Sequence, residues 1–281
     1  MMFTSIVNQI AQQHKEPASS TISNEAQQIY KQGLDKVNEY RGDPRIFSEA
    51  IAHFEQTECL PLFYTGVAYV HVVAAYKENI HYDQAELVHA GEWLKKAEEV
   101  AGEFFESQIV KLYICIYSRR FDEAKQLLDE LEGRHQTDFY LQMAKIDFYA
   151  VKENKNQMSH VYQKTLPLAL TVTRRAYLHN RVARYLVMFR HFNEAIEVYQ
   201  ELAKLTPGDP WMWHNMSIIH LTKGNLWMAR RCNKIALQLM EFSNARFIER
   251  KIREKIIELL AKGGAIVVVI VLVILRIILR A

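Results

Sequence analysis

Few side chains in this sequence stand at spacings that do chemistry on a substrate. No GxGxxG, HExxH or GxSxG pattern occurs, and no GxxxxGK run followed by Ser or Thr. The phosphate cradles, zinc-held waters and strained nucleophile turns that those patterns build are therefore not encoded. The 11 histidines are scattered without a His-x-x-x-His pair, and Cys59, Cys115 and Cys232 form no CxxC pair. Metal ligation needs such donors close together, so no metal or cofactor is expected and the cysteines read as buried reduced thiols. His71 and His220, each on an apolar stretch, read as core or groove residues. Asn215-Met216-Ser217 has the form of a glycosylation sequon but falls inside a predicted packed helix, where a glycan has no room. The expectation is that the chain is not an enzyme.

The pattern with the clearest physical meaning lies at the C-terminal end. Arg246, Arg250, Lys251, Arg253 and Lys255 interleave with Phe247, Ile248, Ile252, Ile256 and Ile257, which makes residues 244–262 a basic amphipathic helix. Gly263-Gly264 then opens an apolar run over 265–275, and Arg276 and Arg280 follow near the end. From 264 to 279 a helix extends about 24 Å at ~1.5 Å per residue, against a hydrocarbon core of about 30 Å. The span is short, but the two terminal arginines can snorkel to the far headgroups. Residues 263–281 are expected to be a transmembrane tail anchor. A buried strand is the weakest alternative, because a helical protein offers no sheet to receive it. A capping or oligomer-forming helix is the other, although the run is apolar on every side. The cations at 246–255 are expected on anionic headgroups and place the rest of the chain on the cytoplasmic side.

The elements that precede this tail are betrayed by repetition. Phe192-Asn193-Glu194-Ala195 recurs as Phe121-Asp122-Glu123-Ala124, Tyr82-Asp83-Gln84-Ala85 and Phe47-Ser48-Glu49-Ala50, and Gly224 to Ala229 supplies a later copy. Ala195 and Ala229 are 34 residues apart, Ala50 and Ala85 35, and Ala85 and Ala124 39, while a degenerate copy fits near Met158. Phe121, Ala124, Leu127, Leu128 and Leu131 keep the i, i+3, i+4 spacing of an amphipathic helix. An alanine at the crossing lets two helix backbones approach closely, and Pro207 and Pro210 punctuate one hairpin from the next.

With Trp213, Asn215, Gly224, Ala229, Ala236 and Leu237 in the last copy and Ala183, Phe192, Ala195, Tyr199 and Pro207 in the one before, the chain resembles the tetratricopeptide repeat (TPR) family over roughly residues 24–242. The resemblance implies an all-α, right-handed solenoid of about six helical hairpins over 24–243, followed by the C-terminal apolar helix. Residues 1–23 are left as a flexible polar arm with one short amphipathic set at Phe3, Ile6, Val7 and Ile10. In that family the first helices of the hairpins line a concave groove for a peptide or helix. The 34-residue period then places Tyr113, Tyr140, Tyr177, Asn180, Arg181, Arg184, Trp211, His214 and Asn215 at the partner-binding groove. One TPR subgroup holds a peptide C-terminal carboxylate with Lys, Arg and Asn; here Arg181 and Asn215 match two places, but Asp147 stands where it would repel the carboxylate.

Composition sets the outer limits. The chain has 281 residues, 10 glycines and 6 prolines, about half the usual glycine share of ~7%, which argues against turn-dense all-β folds. A 49% hydrophobic content excludes global disorder. Net charge is +3, yet from Asn244 onward 8 basic residues face 3 acids, which leaves −2 for the remainder and no basis for nucleic-acid binding. The sequence therefore points to a scaffold that recruits a protein or peptide partner to a membrane. Its alternative is a soluble assembly factor or chaperone whose apolar helix drives homo-oligomerisation.

Overall fold

The computed structural model describes residues 2–17, 19–40, 43–77 and 81–278, with the side chains of 7–17, 19–40, 43–77 and 81–262. The described chain is all-α, with two isolated bridges, Ser19 with Cys59 and Tyr76 with Tyr82, in place of any strand. It divides into two compact units, Met1–Arg190 and His191–Ala281.

In the first unit α1 (Met2–Gln13) precedes four antiparallel pairs: α2 (Asn24–Val37) with α3 (Arg45–Glu55), α4 (Leu60–Ala74) with α5 (Gln84–Ala101), α6 (Phe105–Tyr117) with α7 (Phe121–His135), and α8 (Phe139–Val151) with α9 (Lys155–Thr165). A 3-10 turn, Leu166–Leu168, leads to α10 (Val172–Met188). The second unit holds α11 (Phe192–Leu205), the pair α12 (Pro210–Thr222) and α13 (Leu226–Leu239), and α14 (Ser243–Ile278). First helices stack on first helices, α2 on α4, α4 on α6 and α6 on α8.

Local chemistry sets these boundaries. Ser23, Asp83, Asp138, Asn154, Thr171, Asp209 and Asn225 each cap a helix by accepting a hydrogen bond from its first-turn amides, worth about 1 kcal/mol apiece. Arg119, Glu153, Arg190 and Gly224 all take left-handed backbone, φ between 56° and 76°, two residues ahead of α7, α9, α11 and α13. They stand 34, 37 and 34 residues apart, so the repeat is written in the turn as well as in the helix. Four positions into each second helix, Ala124, Met158, Ala195 and Ala229 are fully buried.

Ala85 does not hold that place. Asp83 caps α5, so Ala85 stands exposed in the first turn and Ala90 is the buried small residue. The Tyr-Asp-Gln-Ala string resembles the motif in letters, but the longer turn that the Tyr76–Tyr82 bridge closes shifts its register. Close approach is sharpest around Phe54, a fully buried ring on α3. A Cβ added to Gly33 on α2 or to Gly66 on α4 would stand 2.3 Å from it.

The N-terminal segment differs from a free polar arm. Residues 2–13 form α1, whose Val7 and Ala11 are buried where it packs on α3, α4 and α5. The polar stretch behind it is tied down by partners that composition does not reveal. His14 Nδ1 lies 2.7 Å from Glu55, Tyr64 donates to Glu16 at 3.0 Å, and the Leu60 amide donates to the Ser19 carbonyl at 2.7 Å. At the other end, 244–262 and 263–281 are not two helices. One helix, α14, runs from Ser243 to Ile278 through Gly263-Gly264, because a helix glycine costs about 1 kcal/mol and forbids nothing. Its Ala245, Ile248 and Ile252 are buried, the two isoleucines in one apolar cluster with Ala229. Among the described residues no helix is long and apolar enough to cross a membrane. The apolar run 265–275 that carries the anchor expectation lies outside the described side chains.

Candidate functional site

Aromatic and polar side chains recur at helical spacing on neighbouring first helices of the first unit. Tyr69 stands on α4 and Tyr76 in the turn just past its end, Tyr113 and Tyr117 stand four apart on α6, and Tyr177, Arg181 and Arg184 follow the same face of α10. Residues three, four and seven apart share one side of a helix, so stacking α4 on α6, α6 on α8 and α8 on α10 gathers them.

Asp147 on α8 is the centre of the gathered set. Its side chain is wholly buried, and it accepts hydrogen bonds from Arg181 Nε at 3.0 Å and Nη2 at 2.7 Å, from the Tyr185 hydroxyl at 2.7 Å, and from the Tyr117 hydroxyl. Arg181 Nη2 also donates to Tyr117. The Tyr117 ring in turn lies on Tyr82, with centroids 3.8 Å apart and planes 11° from parallel. Burial pushes the Tyr113, Tyr117 and Tyr185 phenols well above their ordinary range, and the Asp147 carboxylate adds to the shift. Burial works against the Arg181 charge, yet Asp147 and the phenols hold the guanidinium firmly protonated. A buried pair of this kind is neutral as a whole and rigid, because four donors converge on one carboxylate.

Beside this pair opens a cavity of about 70 Å³, enough for a few waters or the tip of one inserted side chain. Five of the nine residues assigned to the groove from sequence line it: Tyr113, Tyr177, Asn180, Arg181 and Arg184. Tyr40, Tyr69, Tyr76, Tyr82 and Tyr117 complete the aromatic wall. Period-matching alone missed these five, although the four-residue spacing of Tyr113 and Tyr117 on α6 marks one of them. Arg184 lies with its guanidinium carbon 4.3 Å from the Tyr76 ring centroid and has no ion pair among the described residues. Asn180, also at the cavity, has no hydrogen-bond partner among them. Asp147, expected to repel a peptide carboxylate, also removes Arg181 as a free cation.

Tyr140 has another place. Its hydroxyl donates to Asp35 Oδ1 at 2.6 Å, and Arg174 Nε reaches both Asp35 oxygens at 3.2 Å. Lys31 stands 3.5 Å from Asp138. Through these contacts α2 is tied directly to α8 and α10, and Tyr113 and Tyr140 are 1% and 3% exposed.

The last three groove candidates belong to the second unit. The Trp211 ring lies 4.5 Å from Phe242, and His214 stands edge-on to both. His214 is 5% exposed with an unpartnered Nδ1, and burial lowers its pKa to about 4. Asn215 donates to the Tyr199 hydroxyl at 3.1 Å. Ser217 of the sequon is buried and donates to the Ala229 carbonyl. Among the five cations assigned to a membrane surface, Arg246 pairs with Glu241 and Glu249, Arg253 with Glu249 and Lys251 with Glu254. Arg250 lies over the Phe247 ring, and Lys255 has no ion pair among the described residues. All three cysteines are buried and unbridged, His71 is buried against Glu86 at 2.8 Å, and no group of metal-ligating side chains occurs among the described residues.

No protein-family profile matches the chain, and no curated protein matches it in sequence. Among solved structures it is similar to a tetratricopeptide repeat protein from Parabacteroides merdae, with 14% identity, 84% of this chain and 88% of that one covered, and a TM-score of 0.48. It is also similar to yeast Tom70, with 15% identity, 85% of this chain and 56% of that one covered, and a TM-score of 0.49.

Proposed function

We propose that the chain is a non-catalytic adaptor that binds a protein partner at the tyrosine-rich pocket of its first unit and tethers it to the cytoplasmic face of a membrane through its C-terminal helix. The observation that carries the binding half is Arg184. Among the described residues it is a cation without a carboxylate, laid on Tyr76, beside an Asn180 that none of them partners and a wall of tyrosines. Tyrosine and arginine are the side chains most often responsible for binding energy at protein interfaces. The neutralised Arg181–Asp147 pair leaves the pocket with the charge of Arg184, which suits an acidic side chain inserted from a partner. The most strongly shifted groups here, the tyrosines, titrate far above neutral pH, whereas acid–base catalysis needs groups poised near it.

The tether is supported by the continuity of α14. Leu259 and Leu260 are exposed on that helix, so apolar surface begins before Gly263. From Leu259 to Ile278 the helix runs for about 20 residues, or ~30 Å, interrupted by Lys262 and by Arg276 near its end.

Two measurements test the reading. A photo-crosslinking residue replacing Tyr76 should capture one partner in cells, and Arg184→Glu should abolish that capture; unchanged capture removes the pocket from the interaction. The full chain should resist carbonate extraction while a chain ending at Lys262 is released. A full chain that stays in the supernatant as a discrete oligomer assigns the tail to self-association instead.

A further inference from the structure

The second unit holds a cleft larger than the tyrosine-lined cavity of the first. Between α13 and α14 lies an open cleft of about 660 Å³, within the usual range for small-molecule sites. Its α13 wall carries Arg230 and Lys234, both exposed and neither ion-paired among the described residues. The α14 wall carries Arg246 and Arg253, which share Glu249. Four cations and one acid, Glu249, thus line the cleft, with Arg246 also paired to Glu241, while its floor is aliphatic: Leu237, Ile252 and Ile256. Ile257 continues this surface at the rim, 66% exposed, toward the exposed Leu259 and Leu260.

One polar atom in the cleft wall is unsatisfied. Asn233 is 2% exposed, and its Nδ2 donates to the Ala245 carbonyl at 3.1 Å, whereas its Oδ1 accepts from no donor among the described residues. A buried acceptor without a donor is unfavourable, and a ligand hydroxyl would supply the donor. The ligand that answers all three features has an anionic group for the cations, a hydroxyl for Asn233, and hydrocarbon for the isoleucines. Nucleic acid fits poorly, because the cleft offers no aromatic ring on which a base stacks.

We propose that this cleft binds an anionic phospholipid with a hydroxylated headgroup. Its phosphate would lie between Arg230, Lys234 and Arg253, its headgroup hydroxyl would donate to Asn233 Oδ1, and its acyl chains would run over Ile252, Ile256 and Ile257. The proposal rests on the membrane-tether half of the proposed function, which brings the ligand to the site.

The test uses the full-length chain in a non-ionic detergent, offered equal amounts of dioleoylphosphatidylglycerol and dioleoylphosphatidylcholine, with bound lipid read by native mass spectrometry. The glycerol lipid should be retained preferentially. Reversing two exposed cations in Arg230→Glu/Lys234→Glu should lower that preference at least about fivefold, given roughly 1 kcal/mol per cation at a lipid surface. Lys204→Glu/Lys223→Glu, the same charge change at exposed positions of the second unit outside the cleft, should leave it unchanged. Equal retention of both lipids, or a preference indifferent to Arg230→Glu/Lys234→Glu, overturns the proposal. Displacement of the lipid by millimolar inorganic phosphate also overturns it, reducing the cleft to an anion site. Carbonate extraction separates this from the tether. A chain that is extracted yet still prefers the glycerol lipid loses the tether and keeps the cleft; an inserted chain without lipid preference does the reverse.

Discussion

Replacing Asp147 by Asn tests whether the buried ion pair organises the first unit. The substitution keeps size and shape but removes the charge, and it turns one accepting oxygen into a donor facing Arg181 Nη2. Arg181, whose side chain is 14% exposed, would then hold its charge with half of its hydrogen-bonded partner gone. Breaking one side of a buried pair costs about 3–5 kcal/mol, which at a slope of about 2 kcal/mol per molar moves a urea midpoint by roughly 2 M. Arg181→Met should cost a similar amount, because it strands the carboxylate. The double variant removes both charges, so it should cost at least about 2 kcal/mol less than the sum, a coupling within the range of contacting pairs. Urea unfolding of the full chain and the three variants, followed by circular dichroism, measures this cycle. An Asp147→Asn cost below about 1 kcal/mol, or strict additivity, refutes the reasoning, since either means the pair is solvated like a surface salt bridge.

Other outcomes follow from single positions. Gly66→Ala drives a methyl against the Phe54 ring, which Gly33 blocks from the other side; the cost should be about 1–3 kcal/mol, and Phe54→Leu should relieve part of it in thermal melts. Arg190→Gly should stabilise by a few tenths of a kcal/mol, because left-handed backbone costs a side chain about 1–2 kcal/mol and glycine returns part of that as entropy. Gly224→Ala, at φ 76°, should destabilise by about 1 kcal/mol. His214 is held neutral, with a folded pKa of about 4 against 6.5 unfolded. Its contribution is therefore fully present above pH 6.5 and is lost as pH falls toward 4, when the unfolded chain takes up the proton first. Between pH 7 and 4.5 that loss should approach 2 kcal/mol, and His214→Phe should flatten the melting temperature over the same window.

The helices and most of their pairing were legible because amphipathic spacing and the small crossing residue are local signals, as at Ala124, Ala195 and Ala229. Ala85 misled for the same reason: a four-letter string reports nothing about a turn closed by Tyr76 and Tyr82. The candidate pocket was half legible. Tyr113, Tyr177, Asn180, Arg181 and Arg184 follow from the period, but Tyr82 lies outside any helix and enters through the turn. That Asp147 grips Arg181 was not legible as a bond, since contacts between repeats depend on how the helices stack. Trp211 and His214 were chosen by the same period, and their contacts are with Phe242 at the turn into α14. Periodicity marks a helix face without saying what covers it.

The tie between α2 and the helices α8 and α10 has a consequence for how the first unit comes apart. In a simple stack of hairpins each repeat touches only its neighbours, so stability is a sum of local terms and the ends fray first. Here Asp35 accepts from Tyr140, 105 positions along the chain, and from Arg174, 139 positions along. The first hairpin is thereby fastened to the fourth, and the N-terminal end cannot loosen without breaking contacts deep in the array. Amide exchange in α2 should then be as slow as in α6, with one cooperative opening for the whole unit. The same fastening must close a loop of more than a hundred residues, which places the unit among slow folders for a helical protein.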